Sequence, residues 1–186
     1  MPTDMRKTLG GLLAVVGMLV ATEAHAQFAN RSLGGGLGFV KLLGGSSLGG
    51  ATGVDFAVPL TLEGSLYIEN GFDIYAHVPI MLVSVTSGAA TASGAGLVFG
   101  TGGHLGVRYL FLEETVRPYV GLEIAAFVLI TKTTVVFAGP GVVAGIDYFV
   151  ADTVSIGARG FFDLFIELNV PIRPAFGGGA SVAVYF

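Results

Sequence analysis

Between Thr153 and Leu168 the chain sorts by parity. The odd positions Thr153, Ser155, Gly157, Arg159, Phe161, Asp163, Phe165 and Glu167 hold every charged and hydroxyl side chain of the stretch. The even positions Val154, Ile156, Ala158, Gly160, Phe162, Leu164, Ile166 and Leu168 hold none. A period of two over that length marks a β-strand, whose successive side chains point to opposite faces; a helix would scatter both sets around its circumference. The same sorting recurs in 117–130, where Pro118, Val120, Leu122, Ile124, Ala126, Val128 and Ile130 oppose Arg117, Gly121 and Glu123. In 54–68, Val54, Phe56, Val58, Leu60, Leu62, Leu66 and Ile68 oppose Asp55, Thr61, Glu63 and Ser65. In 97–111 the odd positions are apolar apart from Thr101 and Gly103, with His104 and Arg108 on the other side.

Segments of this kind predict strands near 31–42, 54–68, 72–84, 97–111, 117–130, 136–150, 153–168 and 175–186. The connections Glu69-Asn70-Gly71, Leu112 to Val116 and Ala151-Asp152 are tight, whereas 43–53, 85–96 and 169–174 are longer and mostly rich in Gly, Ser, Thr, Ala or Pro. Short and long turns therefore fall at opposite ends. A chain of hairpins with no helical stretch and no second domain predicts an all-β fold, a closed antiparallel up-and-down barrel over residues 27–186. Pro59, Pro79 and Pro140 fall inside strands, where each removes a ladder donor, and bulges are expected at them.

Which face is inside follows from where charge is missing. In a soluble barrel the aliphatic face would be the core, and Gly, Ala, Phe and a few carboxylates would be left to meet water with too little charge. Inverted, the pattern makes sense: a lipid-facing Arg or Lys near the bilayer midplane costs roughly 2–4 kcal/mol, which clears that face of charge, while a lumen can pair acids with bases. The strands also exceed the ~9–11 residues that a tilted strand needs to cross a bilayer. With the first strand running outward, the lipid-side rings Phe72, Tyr109, Phe111, Tyr148 and Phe186 fall at the periplasmic ends, and Phe39, Phe56, Phe99 and Phe176 at the opposite ends. Two aromatic belts at two interfaces are what a transmembrane β-barrel carries.

Ahead of the strands, Arg6 and Lys7 precede an apolar run from Leu9 to Val20 and then Ala24-His25-Ala26, the plan of a signal peptide cleaved before Gln27. The run is shorter than the ~20 residues of a spanning helix. Removing residues 1–26 takes away Arg6 and Lys7 with Asp4 and Glu23, leaving 7 basic and 11 acidic residues. That acidic balance courts no nucleic acid. At 53% hydrophobic and 12% charged, the chain is poor in charge for a soluble domain. It has no cysteine, which excludes disulfides, zinc–thiolate sites and a cysteine nucleophile.

Pro118-Tyr119-Val120-Gly121-Leu122, Gly145-Ile146-Asp147-Tyr148, Ser155-Ile156-Gly157 and the closing Ala183-Val184-Tyr185-Phe186, taken with the export signal and strand count, resemble the small eight-stranded OmpA/OmpX-like outer-membrane β-barrels of Gram-negative bacteria. The resemblance spans the whole mature chain. It implies a porin-like integral membrane protein in the cell outer membrane, a monomer partnered by outer-membrane lipid and by the assembly machinery, which recognises a terminal aromatic here matched by Phe186. The outer loops depart from that family in being short and nearly uncharged.

Inward-facing Asp55, Glu63, His104, Arg108, Glu123, Asp147, Arg159, Asp163 and Glu167 are expected to form a paired charge network in the lumen, since an eight-stranded interior is about as wide as side chains can fill. Glycines 100, 102, 106, 121, 141, 145 and 157 leave room there, and Phe137, Phe161 and Phe165 take it back. The function expected is non-enzymatic, structural or in envelope integrity, with a largely plugged lumen. The alternatives are a narrow cation-leaning pore, a lipid-modifying barrel enzyme and a soluble periplasmic lipocalin-like binder. His77 and His104 lie on different strands with no close carboxylate spacing, so neither a metal nor another cofactor is expected. Gly139-Pro140-Gly141-Val142-Val143-Ala144 matches a degenerate phosphate loop, but alternation continues where a helix should open. No Ser, His and acid grouping suggests a hydrolase.

The face assignment is open to direct test. Spin labels at Leu122 and Ile156 are expected to be quenched by lipid-soluble probes and one at Ser155 to be spared, and Leu122→Arg is expected to cost roughly 2–4 kcal/mol in unfolding titrations if the residue lies near the midplane.

Overall fold

The computed structural model describes residues 30–43, 54–85, 96–112, 114–130, 134–167 and 170–186. The expected signal segment, with Ala24, Ala26 and Gln27, lies outside them. The described chain forms eight strands: β1 (Arg31–Leu42), β2 (Val54–Glu69), β3 (Phe72–Val85), β4 (Gly96–Leu110), β5 (Val116–Ile130), β6 (Val135–Ala151), β7 (Val154–Glu167) and β8 (Val170–Tyr185). Each pairs antiparallel with its sequence neighbours, and β8 returns to β1 to close the barrel. β6 runs unbroken through Gly139–Ala144, so the degenerate phosphate-loop match is strand.

Closure is a requirement of the surroundings. An open sheet edge would leave backbone donors and acceptors unpaired in lipid, each costing several kcal/mol, on the order set by transfer of a bare amide. The seam is continuous from Ser32↔Tyr185 to Leu42↔Ala175. Beyond it, Phe186 N donates to Arg31 O at 2.9 Å and Arg31 N to Phe186 O at 3.3 Å, so the last residue fastens the turn end of the seam. The seam is also close. A Cβ added at Gly38 would stand 2.5 Å from Gly178 O, so glycine is what lets β1 and β8 approach there. At the β2–β3 hairpin, Asn70 (φ 54°) and Gly71 (φ 83°) supply the two left-handed residues that a tight turn needs.

The two faces separate as the parity predicts. Leu122 is 70% exposed and Ile156 49% exposed on the outer surface, whereas Ser155 is 1% exposed and faces inward. Outward side chains are overwhelmingly Leu, Ile, Val and Phe, and buried Asp73, Glu123, Asp147 and Asp163 lie inside. A soluble barrel needs the reverse, so the lipocalin-like reading fails. The rings Phe72, Tyr109, Phe111, Tyr148 and Phe186 are all exposed outward at the turn end, and Phe39 and Phe99 at the loop end; the side chain of Phe56 lies outside those described.

Two expectations are corrected. The prolines make no bulges: register is constant across all three, and the shifts fall near strand ends at Val54/Phe56, Tyr67/Glu69, Phe149/Ala151 and Phe165/Glu167. Each strand N–H serves only one neighbour, so a proline costs one bond on one side. Pro59 keeps its pairing with Met81, and Pro140 with Ile124. Pro79 keeps Thr61, and its carbonyl accepts a hydrogen bond from Thr101 Oγ1 at 3.1 Å. The second correction is the start of β8. Residues 170–174 read as loop because of Pro171 and Pro174, yet β8 begins at Val170, with Arg173 paired to Phe165 and Pro174 to Leu164.

Gly38→Val should overpack the seam. A loss of about 1–3 kcal/mol is expected from the forced strand shift, read as a lower urea midpoint for the loss of heat-modifiable gel mobility, with Gly64→Val, where the nearest atom to a Cβ is 3.4 Å away, as the milder control.

Candidate functional site in the lumen

The barrel interior is layered. At the turn end, Arg108 donates from Nε and Nη2 to Asp73 Oδ2 at 2.9 and 2.7 Å, and its Nη1 lies 3.5 Å from Asp147 Oδ2. The guanidinium stacks over Tyr119, 4.6 Å from the ring centroid. Planar charge on a π face inside a low-dielectric lumen adds to the ion pairs rather than competing with them.

One layer up, Tyr75 donates a short hydrogen bond to Glu123 Oε2. Arg159 Nη2 stands 3.6 Å from the same oxygen. Arg159 Nη1 lies within hydrogen-bond distance of the His77 ring, whose Nε2 is 3.1 Å from Glu63 Oε2. Arg159 Nη1 stands 2.5 Å from His77 Nδ1 and 2.7 Å from Nε2, against both ring nitrogens, while Nε2 also faces Glu63. His104 Nε2 then lies 3.3 Å from Asp163 Oδ2 and 3.9 Å from Glu123 Oε1.

Above the charges the lumen turns apolar. The His104 ring packs edge-on against Phe127 at 5.0 Å, Phe127 against Phe165 at 5.3 Å, and Phe165 against Phe137 at 6.2 Å. Ala57, Met81, Ala125, Leu129 and Ala175 complete this cluster. Among the described residues the lumen holds small cavities of about 40 Å³ among the apolar side chains, 30 Å³ beside the histidines and 10 Å³ near Arg108.

The structure thus brings Glu63, His104, Arg108, Glu123, Asp147, Arg159 and Asp163 into one lumen network. The side chains of Asp55 and Glu167 lie outside those described. The network also recruits Asp73, Tyr75, His77 and Tyr119, and Arg173 is buried in the interior of the loop half. Parity in β3 carries the missing signal for three of these, since Asp73, Tyr75 and His77 oppose Phe72, Ile74, Ala76 and Val78. Both histidines meet acids contributed by other strands, a proximity that spacing along the chain does not carry.

No family model matches the chain, and no curated protein sequence does so at a significant level. Solved structures do. The chain is similar to Neisserial surface protein A (TM-score 0.60, 16% identity, covering 84% of this chain and 97% of that one). It is similar to the outer membrane protein OprG of Pseudomonas aeruginosa (TM-score 0.61, 14% identity, 84% and 95%). A third is the N-terminal β-barrel domain of OprF from Pseudomonas aeruginosa (TM-score 0.55, 12% identity, 84% and 98%). The fold is that of the small outer-membrane β-barrels, and the apolar outer face makes the chain an integral membrane barrel of that class.

Removing one member of a buried ion pair strands the other charge, typically at about 3–5 kcal/mol. Arg108→Ala, which orphans Asp73 and Asp147 together, is expected to lower stability by about that amount, measured by denaturant titration of the β-sheet circular dichroism signal.

Proposed function

We propose that the chain is a closed, non-conducting outer-membrane barrel with a structural or envelope-integrity role, acting as a monomer and without enzymatic activity. The observation that carries this reading is the layered filling of the lumen. Among the described residues a lumen cavity of about 40 Å³ is lined by Phe127, Phe137, Phe165 and aliphatic side chains, which offer a hydrated ion nothing to replace its water. Among the described residues, the histidines are engaged by carboxylates and a guanidinium rather than by a hydroxyl nucleophile, which supports the non-enzymatic reading. Delivery by the outer-membrane assembly machinery, with Phe186 as its signal, belongs to the same proposal.

A narrow cation path is the second reading, favoured by one observation. The central band sets Glu63, Asp73, Glu123, Asp147 and Asp163 against Arg108 and Arg159, so any water admitted there would sit in a negative field. Single-channel recording in planar bilayers separates the two. The unmutated protein is expected to be silent, and Arg159→Ala to open a small, cation-selective leak beside the orphaned Glu123. Sustained, large, weakly selective openings from the unmutated protein would defeat the plug.

A further inference from the structure

The meeting of His104, Glu123 and Asp163 poses a problem that protein groups alone leave unsolved. Asp163 is fully buried and Glu123 is 3% exposed, yet Asp163 Oδ1 and Glu123 Oε1 have no hydrogen-bond partner among the described residues. Leaving a buried carboxylate oxygen unsatisfied costs its desolvation penalty in full, and more for a charged group than for a neutral one. Protonating His104 does not repair this. Its Nε2 carries a single hydrogen, which can serve Asp163 Oδ2 at 3.3 Å or Glu123 Oε1 at 3.9 Å but not both, and Asp163 Oδ1 stays orphaned either way.

A cation among the three would give Glu123 Oε1 the partner it lacks and hold it together with His104 Nε2 and the Asp163 carboxylate. One ligand atom from each lies within 4.8 Å of the others, and both separations from His104 Nε2 fall inside the span of about 4.2 Å that one ion bonded at ~2.1 Å can bridge. The surroundings are arranged for it. Tyr75 and Arg159 occupy the far oxygen of Glu123, so Oε1 is the one turned toward His104. That is how outer groups orient a ligating carboxylate. In the ladder Glu123 pairs with Gly141 and Gly141 with Asp163, placing a glycine between the two acids. A Cβ at Gly141 would collide with Asp163 Oδ1, so any other residue would push that carboxylate out of place. Phe127 and Phe161 flank the His104 ring and keep the local dielectric low.

We propose that His104, Glu123 and Asp163 bind a divalent first-row transition ion of the zinc class, held inside the barrel between β4, β5 and β7. One imidazole nitrogen with two carboxylates suits such an ion better than calcium or magnesium, which favour all-oxygen shells. Two carboxylates neutralise its charge. The aromatic layer above and the Arg108 layer below cover the site, so the ion enters as the barrel closes during folding. The inference is independent of whether the lumen conducts.

The test is to refold the full mature chain into detergent micelles with Zn²⁺, desalt it and measure bound metal by mass spectrometry. About one zinc per chain is expected, released by chelator only on unfolding, as for a buried structural site. His104→Gln and Asp163→Asn should each cut retained zinc or its affinity about 10–100-fold, at the scale by which even outer-shell changes weaken metal sites, while heat-modifiable mobility persists. Should either variant fail to fold, Co²⁺ in the unmutated chain decides: visible d–d absorption of a low-symmetry N,O site is expected, and the octahedral spectrum of the aqueous ion would overturn the proposal. Zinc lost on desalting from the unmutated protein, or retained equally by His104→Gln, would overturn it as well.

Discussion

Every part of this barrel answers to one constraint: a backbone amide in hydrocarbon has no water to fall back on. The chain meets it by pairing each strand with two neighbours and bringing β8 back onto β1. Closure then dictates the rest. A cylinder of eight strands has a narrow interior, and its outer wall faces lipid, so side chains of alternate parity live in two different solvents. The wall accepts Leu, Ile, Val and Phe at no cost, and the charges that the wall rejects collect inside.

Inside, the charges have to be solvated by one another. Arginines are well matched to this, because a fixed planar fork can serve Asp73 through two nitrogens and reach Asp147 with the third while stacking on Tyr119. The histidines do something different. His77 lies between the Arg159 guanidinium and the Glu63 carboxylate, one cation and one anion, whereas His104 has two carboxylates to face and only one nitrogen turned toward them. The contrast between a satisfied and an overcommitted imidazole, one layer apart, is what singles out the second.

Much of this was legible in the chain and some was not, for physical reasons. Parity is a strictly local signal, enforced residue by residue by the cost of charge in lipid, so Leu122 and Ser155 declare their faces without help from any partner. Partnership is a different matter. His104 and Asp163 lie 59 residues apart and meet only because β4 and β7 bound the same narrow lumen. Glu123 and Asp163 share a row through Gly141, a relation fixed by register across three strands. Arg173 was hidden by the prolines on either side, whose turn preference outweighed the alternation that resumes at Val170. Nor does a proline in a strand require a bulge, since the alternating direction of strand amides lets the missing donor be lost on one side only.

That one-sidedness shows in the wall. The ladder is interrupted between β1 and β2 beside Pro59, between β3 and β4 beside Pro79, and between β6 and β7 beside Pro140, and resumes beyond each at Val40↔Ala57, Ile80↔Thr101 and Ala138↔Ile166. Within the groups β2–β3, β4–β5–β6 and β7–β8–β1 no such gap occurs among the described residues. The turn half is hooped all the way round. Because the ladder closes again beyond each gap, the prolines leave windows in a bound wall, and amide exchange beside them would outpace that of the unbroken rows.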